Sequence, residues 1–186
     1  MLRQRYRPGR EFEVPQRDFE PGRVRFTPLF EALYGATRAA VREQLRPVPW
    51  LVAHGGQTVL FARTHGAADA LERVAADLER ELPRELLALA AKTSGTFNWR
   101  NVRGTQRRSL HSFGIAIDIG VSRSDYWDWN KPDATGGYRY KNRFPLEIVE
   151  IFERHGFVWG GKWYHFDTMH FEYRPELLVP PCVDVR

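Results

Sequence analysis

Three stretches of the chain repeat apolar residues at helical spacing, and two alternate them at strand spacing. From Pro28 to Leu45, Leu29, Leu33, Thr37, Ala40 and Val41 fall near one helical face, with Pro28 suited to a first turn. Pro47 and Pro49 are expected to end that helix. Gly55-Gly56 followed by Gln57 to Phe61 reads as a turn and a short strand. Leu71, Val74, Ala75, Leu78 and Leu82 make one stripe, predicting a helix over 67–82 that Pro83 stops. A short helix to about Ala91 follows. A further helix is predicted from Pro145 to Gly156, with Ile148, Val149 and Phe152 inward. These stripes are read as core.

The strand signals are different in kind. In SLHSFGIAIDIG (Ser109 to Gly120), Ile115, Ile117 and Ile119 share one face and Asp118 lies on the other, between small neighbours. In FDTMHFEY (Phe166 to Tyr173), Met169, Phe171 and Tyr173 alternate with His170 and Glu172. The expected fold class is therefore α+β: a small antiparallel sheet packed by three to four helices, with chemistry on one sheet face. Residues 1–26, with seven Arg against four acids, are expected to form an extended basic arm over the domain. A single domain is expected over 27–179 and a tail over 180–186. The stretch from Tyr126 to Arg143, YWDWNKPDATGGYRYKNR, reads as a long loop, either a surface insertion or a substrate-facing segment.

A carboxylate on a core strand is costly unless it is paired or bound to a metal. If the two strands share a sheet, Asp118 and His170 project from its non-core side. His111 lies seven residues before Asp118, roughly 23 Å if extended, so the chain must fold back to bring them together. Gly114 gives it the freedom to do so. A His, Asp, His set with one open position is the pattern of a catalytic rather than a structural zinc site. His165, five residues before His170, is a rival ligand. Asp167 is expected in the turn before the second strand or at a bulge, from where it could act as general base. His155, next to the helix-ending Gly156, is assigned to the helix C-terminus.

Composition narrows the classes. The 186 residues are 42% hydrophobic and 27% charged, fitting one ordinary globular domain. The longest apolar run, Leu86 to Ala91, is far short of the roughly 20 residues of a membrane span. The opening MLRQRYRPGREFEVP has no apolar segment, so no signal peptide is expected in it. Cys182 is the lone cysteine, which excludes an intrachain disulfide and thiolate zinc motifs. The net charge is +5, and only four of the 28 basic residues are Lys. Arg suits bidentate carboxylate or phosphate binding. No base-reading helix or RNA-binding aromatic signature is present, so nucleic acid is not expected as a partner.

The two motifs SLHSFGIAID and GFVWGGKWYHFDTMHFE (Gly156 to Glu172) together resemble the zinc-dependent D-alanyl-D-alanine carboxypeptidase and L-alanyl-D-glutamate peptidase family of peptidoglycan hydrolases, which shares its fold with the hedgehog signalling domain. The resemblance implies one zinc ion held by His111, Asp118 and His170, with Asp167 as the catalytic carboxylate. It places Ser109 among substrate contacts. It implies an upstream Arg that stabilises the scissile carbonyl, Arg100 or alternatively Arg103. Trp159, Trp163 and Phe113 are candidates for lining the pocket. Asp167-x-x-His170 and the WGGKW segment are similar to the endopeptidase branch, whereas the Gly95 to Arg108 stretch is similar to the carboxypeptidase group. The implied partner is a peptidoglycan peptide, and the implied setting is periplasmic, cell-wall or secreted, with a monomer expected. A non-catalytic zinc module of the same fold is the alternative.

Overall fold

The computed structural model describes residues 4–179. The tail from residue 180, including Cys182, lies outside them. Five helices are described: α1 (Thr27–Tyr34), α2 (Arg38–Glu43), α3 (Ala67–Glu81), α4 (Arg84–Ala91) and α5 (Leu146–Arg154). A two-stranded sheet pairs β1 (Leu45–Trp50) with β2 (Gln57–Ala62). A four-stranded antiparallel sheet has the order β3-β4-β6-β5, from β3 (Thr93–Gly95), β4 (Ala116–Ile119), β5 (Phe157–Trp159) and β6 (His170–Tyr173). The α+β class expected from the alternation holds.

The helix expected over 28–45 is two helices. Gly35 leaves the first at φ +116°, and Thr37 starts the second, its Oγ1 accepting from the Ala40 N–H at 3.2 Å. A strand then runs straight through Pro47 and Pro49, which were expected only to stop a helix. β1 has a single neighbour. Proline positions two apart turn their nitrogens to the same side, here the open edge, so no ladder hydrogen bond is lost. The other helices lie within a residue or two of expectation.

α3 and α5 bury their apolar stripes, and α5 fixes the large sheet. Phe152 stacks on Phe171 of β6 with ring centroids 4.0 Å apart. Ile115, Ile117, Ile119 and Phe171 are all buried. The core thus holds one face of β4 and β6 and leaves Asp118 and His170 to the other.

The WGGKW segment has a packing explanation. A Cβ on Gly160 would lie 2.5 Å from the Asp167 carbonyl oxygen, and one on Gly161 2.1 Å from the Trp159 ring. Trp159 is fully buried and its indole N–H donates to the Thr168 carbonyl at 2.8 Å, so it cannot yield. Gly161→Ala should lower unfolding free energy by roughly 1–3 kcal/mol, as overpacking of a filled core does, and denaturant unfolding measures it. Gly160→Ala should also displace the backbone of Asp167.

Residues 4–26 form no regular helix or strand but are pinned along the body. Glu153 of α5 accepts hydrogen bonds from the Tyr6 hydroxyl, the Gly9 N–H and the Lys162 ammonium. Further on, the Tyr164 N–H donates to the Phe19 carbonyl and the Trp163 indole to the Pro21 carbonyl, each at 2.8 Å.

Candidate active site

Asp118 on β4 and His170 on β6 are direct cross-strand partners. Residues opposite each other on an antiparallel pair place their Cβ atoms about 4.5–5.5 Å apart on the same face. His111 arrives from a helical turn over Leu110–Phe113, and Gly114 at φ +66° turns the chain back into the strand. Asp118 Oδ1 lies 2.7 Å from His170 Nδ1, and Oδ2 lies 3.2 Å from His111 Nε2. The two imidazole nitrogens are 3.2 Å apart. One ligand atom from each of the three residues falls within 4.8 Å of the others.

The partners on the far side of each ring assign its tautomer. His111 Nδ1 lies 2.6 Å from the Thr96 carbonyl, which can only accept, so Nδ1 carries the proton. His170 Nε2 donates to Glu172 Oε1 at 2.9 Å. With both imidazoles neutral, as metal binding requires, the two inward-facing nitrogens offer lone pairs to the same point as the Asp118 carboxylate. Such a donor set calls for a cation between its members, and the backing carbonyl and carboxylate are the outer partners that orient metal-bound histidines. These residues fit a tetrahedral divalent ion with one position open.

The electrostatics agree. Burial works against a charge on Asp118, yet the imidazoles of His111 and His170 hold its carboxyl far below the ordinary range. Burial also opposes charge on His170, but Asp118 and Glu172 on either side raise it to about 10. Glu172 is wholly buried; its carboxyl is held low against burial by Arg25, His170 and Arg174. Arg25 Nη2 bonds Oε1, and Arg174 Nη1 lies 3.4 Å from Oε2.

Asp167 precedes β6 in a turn, where it bridges to Tyr126, and it shares a cavity of about 90 Å³ with His111, Asp118 and His170. That volume equals about three water molecules. Its Oδ1 is shut from solvent with no hydrogen-bond partner. Burial pushes the carboxyl up to about 6, the neighbouring His170, Asp118, His111 and Arg23 charges modulating it.

Arg100, Arg103, Ser109 and Trp163 also line the cavity. Ser109 Oγ is engaged in capping the turn that carries His111, accepting from the His111 N–H at 3.3 Å. Arg103 is 85% exposed and reaches Asp128 at 3.2 Å. Trp159 and Phe113, expected as pocket candidates, are instead fully packed in the core. His165, the rival ligand, stays outside the metal-holding trio: it bonds Glu20 and packs against Trp127. His155 caps α5 as expected and bonds Asp77 at 2.8 Å. Of the 126–143 loop, Tyr126 and Trp127 reach the cavity wall. Sequence reading missed the backing roles of Thr96 and Glu172, and also Arg23 and Arg25, which enter the cavity wall from the arm. Glu172, two residues after His170 on the polar face of an alternating strand, was the one with a legible signal.

Residues 103–173 match the family described as D-alanyl-D-alanine carboxypeptidase. A curated relative, the peptidoglycan L-alanyl-D-glutamate endopeptidase CwlK of Bacillus subtilis (strain 168), is 38% identical over 71 residues. That match takes in 36% of this chain and 40% of the length of the relative. No solved structure matches the chain. The matched segment, under half of the chain, runs from the wall of the cavity through His111, Asp118, Asp167 and His170 to the end of β6, and over it the chain is similar to the D-alanyl-D-alanine carboxypeptidase family.

Proposed function

We propose that this protein is a zinc peptidase that hydrolyses a peptide bond in the stem peptides of peptidoglycan. The observation that carries this reading is the convergence of two imidazole lone pairs and a carboxylate beside a second, unpartnered carboxylate in one cavity. His111, Asp118 and His170 would hold one zinc ion. Zinc at such a site supplies Lewis acidity, polarising the scissile carbonyl and lowering the pKa of water from 15.7 to about 7. Asp167, ionised at neutral pH with a carboxyl that titrates near 6, takes the proton of the attacking water and delivers it to the leaving amine. Arg100, on the cavity wall, is assigned to the developing oxyanion, with Arg103 as its alternative. Ser109 and Trp163 contact the peptide from the same wall. A second carboxylate, that of Asp167, in the same cavity as the candidate metal ligands favours hydrolysis over a module that only holds zinc, since such a module has no use for a buried acid beside the ion.

The matched family and the relative are named for different bonds, D-alanyl-D-alanine and L-alanyl-D-glutamate. Mass spectrometry of purified peptidoglycan digested by the protein identifies the bond. New amino termini that vanish on chelation and return with zinc are expected; full activity after exhaustive chelation would overturn the reading. Peptidoglycan as substrate implies action outside the cytoplasmic membrane. Among the described residues, no helix is long and apolar enough to cross one.

Zinc must displace a proton. With the His170 pKa near 10 in the metal-free protein, its imidazole is charged at pH 7. The affinity for zinc should then rise about tenfold per pH unit through neutrality and level off above about 10. Calorimetric titration in buffers of different ionisation enthalpy should register about one proton released per zinc at pH 7.

A further inference from the structure

The arm that precedes α1 lies outside the residues matched to the family, yet it supplies part of the cavity wall. Residues 19–25 are fixed there by three anchors. Two are the Phe19 and Pro21 carbonyls already described. The third is the Gly22 carbonyl, which accepts from Arg174 Nη1 at 2.9 Å. This leaves Arg23 and Arg25 facing the site from a preorganised backbone.

The two arginines are used differently. Arg25 is spent on Glu172; its side chain is only 7% exposed, it lies 5.9 Å from the Trp163 ring centroid, and its buried Nε–H has no acceptor. Arg23 reaches a single carboxylate, Glu20, at a long 3.3 Å. Glu20 is shared with His165. A guanidinium has five donors in a planar fork, so most of those of Arg23 are unused. Arg23 lines the same cavity as Asp167, Tyr126 and His165, and its partner Glu20 bonds His165, two residues before Asp167. Of the four guanidiniums that line this cavity, those of Arg25 and Arg103 are paired with Glu172 and Asp128, which leaves Arg100 and Arg23, the latter held by Glu20 through one donor, to face the carboxylates of Asp118 and Asp167. A divalent ion held there would leave the cavity with an excess of positive charge. Such a wall suits a ligand that brings its own negative charge, and a planar carboxylate matches the fork.

We propose that Arg23 is a specificity-determining residue that binds a carboxylate of the peptide substrate in the cavity it shares with Asp167. The proposal rests on the peptidase reading and names the ligand chemistry of that same site. It makes the arm a substrate-binding element as well as a strap.

The test uses the full zinc-loaded chain and the pentapeptide L-Ala-γ-D-Glu-L-Lys-D-Ala-D-Ala. Two counterparts carry an amide in place of the C-terminal carboxylate or of the D-Glu α-carboxylate. Binding is measured by calorimetry in the Asp167→Asn background, and kcat/KM is measured with Asp167 intact. The acid peptide should be preferred over one of the amides by about tenfold to a hundredfold, the range of a hydrogen bond to a charged group. Arg23→Gln should abolish most of that preference, and Arg23→Lys should restore part of it. An Arg23→Gln protein that keeps the preference, or a parent protein without one, would overturn the proposal. A purely structural Arg23 would instead lower the melting temperature and leave the acid-to-amide ratio alone. If the parent cleaves no wall peptide the peptidase reading fails, while the binding ratio still decides the role of Arg23.

Discussion

Asp167→Asn should retain one bound zinc and lose roughly 10²- to 10⁴-fold in kcat, the usual worth of a positioned general base. The substitution keeps the size of the side chain and removes its ability to accept a proton. Folding should not suffer. In the native protein Oδ1 has no hydrogen-bond partner, and burial has already raised the carboxyl to about 6. A group whose native pKa lies above its ordinary value of 3.8 destabilises the fold progressively as pH rises through that interval. An amide in its place should therefore leave stability at pH 7 unchanged or higher. The acid limb of the rate profile should disappear with it. Steady-state hydrolysis, zinc quantification and thermal melting check the three parts together. Wild-type rates in the variant would remove Asp167 from the mechanism.

Glu172→Ala should be the most damaging substitution at a residue that never reaches the substrate. Glu172 is fully buried between His170, Arg25 and Arg174. Its loss leaves two buried guanidiniums without their shared anion. Removing one partner of a buried pair typically costs about 3–5 kcal/mol. It also frees the His170 ring, and losing such an outer partner costs roughly 10- to 100-fold in metal affinity. Glu172→Gln separates the effects, since its amide oxygen can still accept from His170 Nε2. It should recover much of the metal affinity and little of the stability. The sign of the pH dependence follows from the depressed native pKa. The stabilisation is complete above the ordinary value of 4.5 and drains away as acid protonates the carboxylate. Denaturant unfolding between pH 3 and 7 should show this dependence in the native protein and its loss in Glu172→Gln.

These two residues also mark what a one-dimensional reading can and cannot see. Alternation put Asp118 on the polar face of one strand and His170 on that of another, because period-two patterning reports a face directly. Their meeting depends on register, Asp118 opposite His170, which no local pattern encodes. His111 was placed by its resemblance to a motif and by a glycine able to turn the chain back. The arm gave no periodic signal. Its contacts run through main-chain carbonyls at Phe19, Pro21 and Gly22, which carry no residue-type signature. Arg23 and Arg25 were consequently invisible as site residues among seven arginines of one segment. The strand through Pro47 and Pro49 was hidden for a related reason: proline is a breaker except at an open edge, and edges exist only in the assembled sheet.

Lys162 bears on how the protein can be divided. Its ammonium is buried, and burial lowers its pKa even with Glu153 beside it. Besides that glutamate, its acceptors are the carbonyls of Arg7 and Gly9. A recombinant fragment begun at residue 27, or at the first matched residue 103, would strip an interior cation of two ligands and bare the indole of Trp163. Moving the domain into another protein therefore requires carrying residues 4–26 along, because they finish its interior as well as the mouth of the cavity.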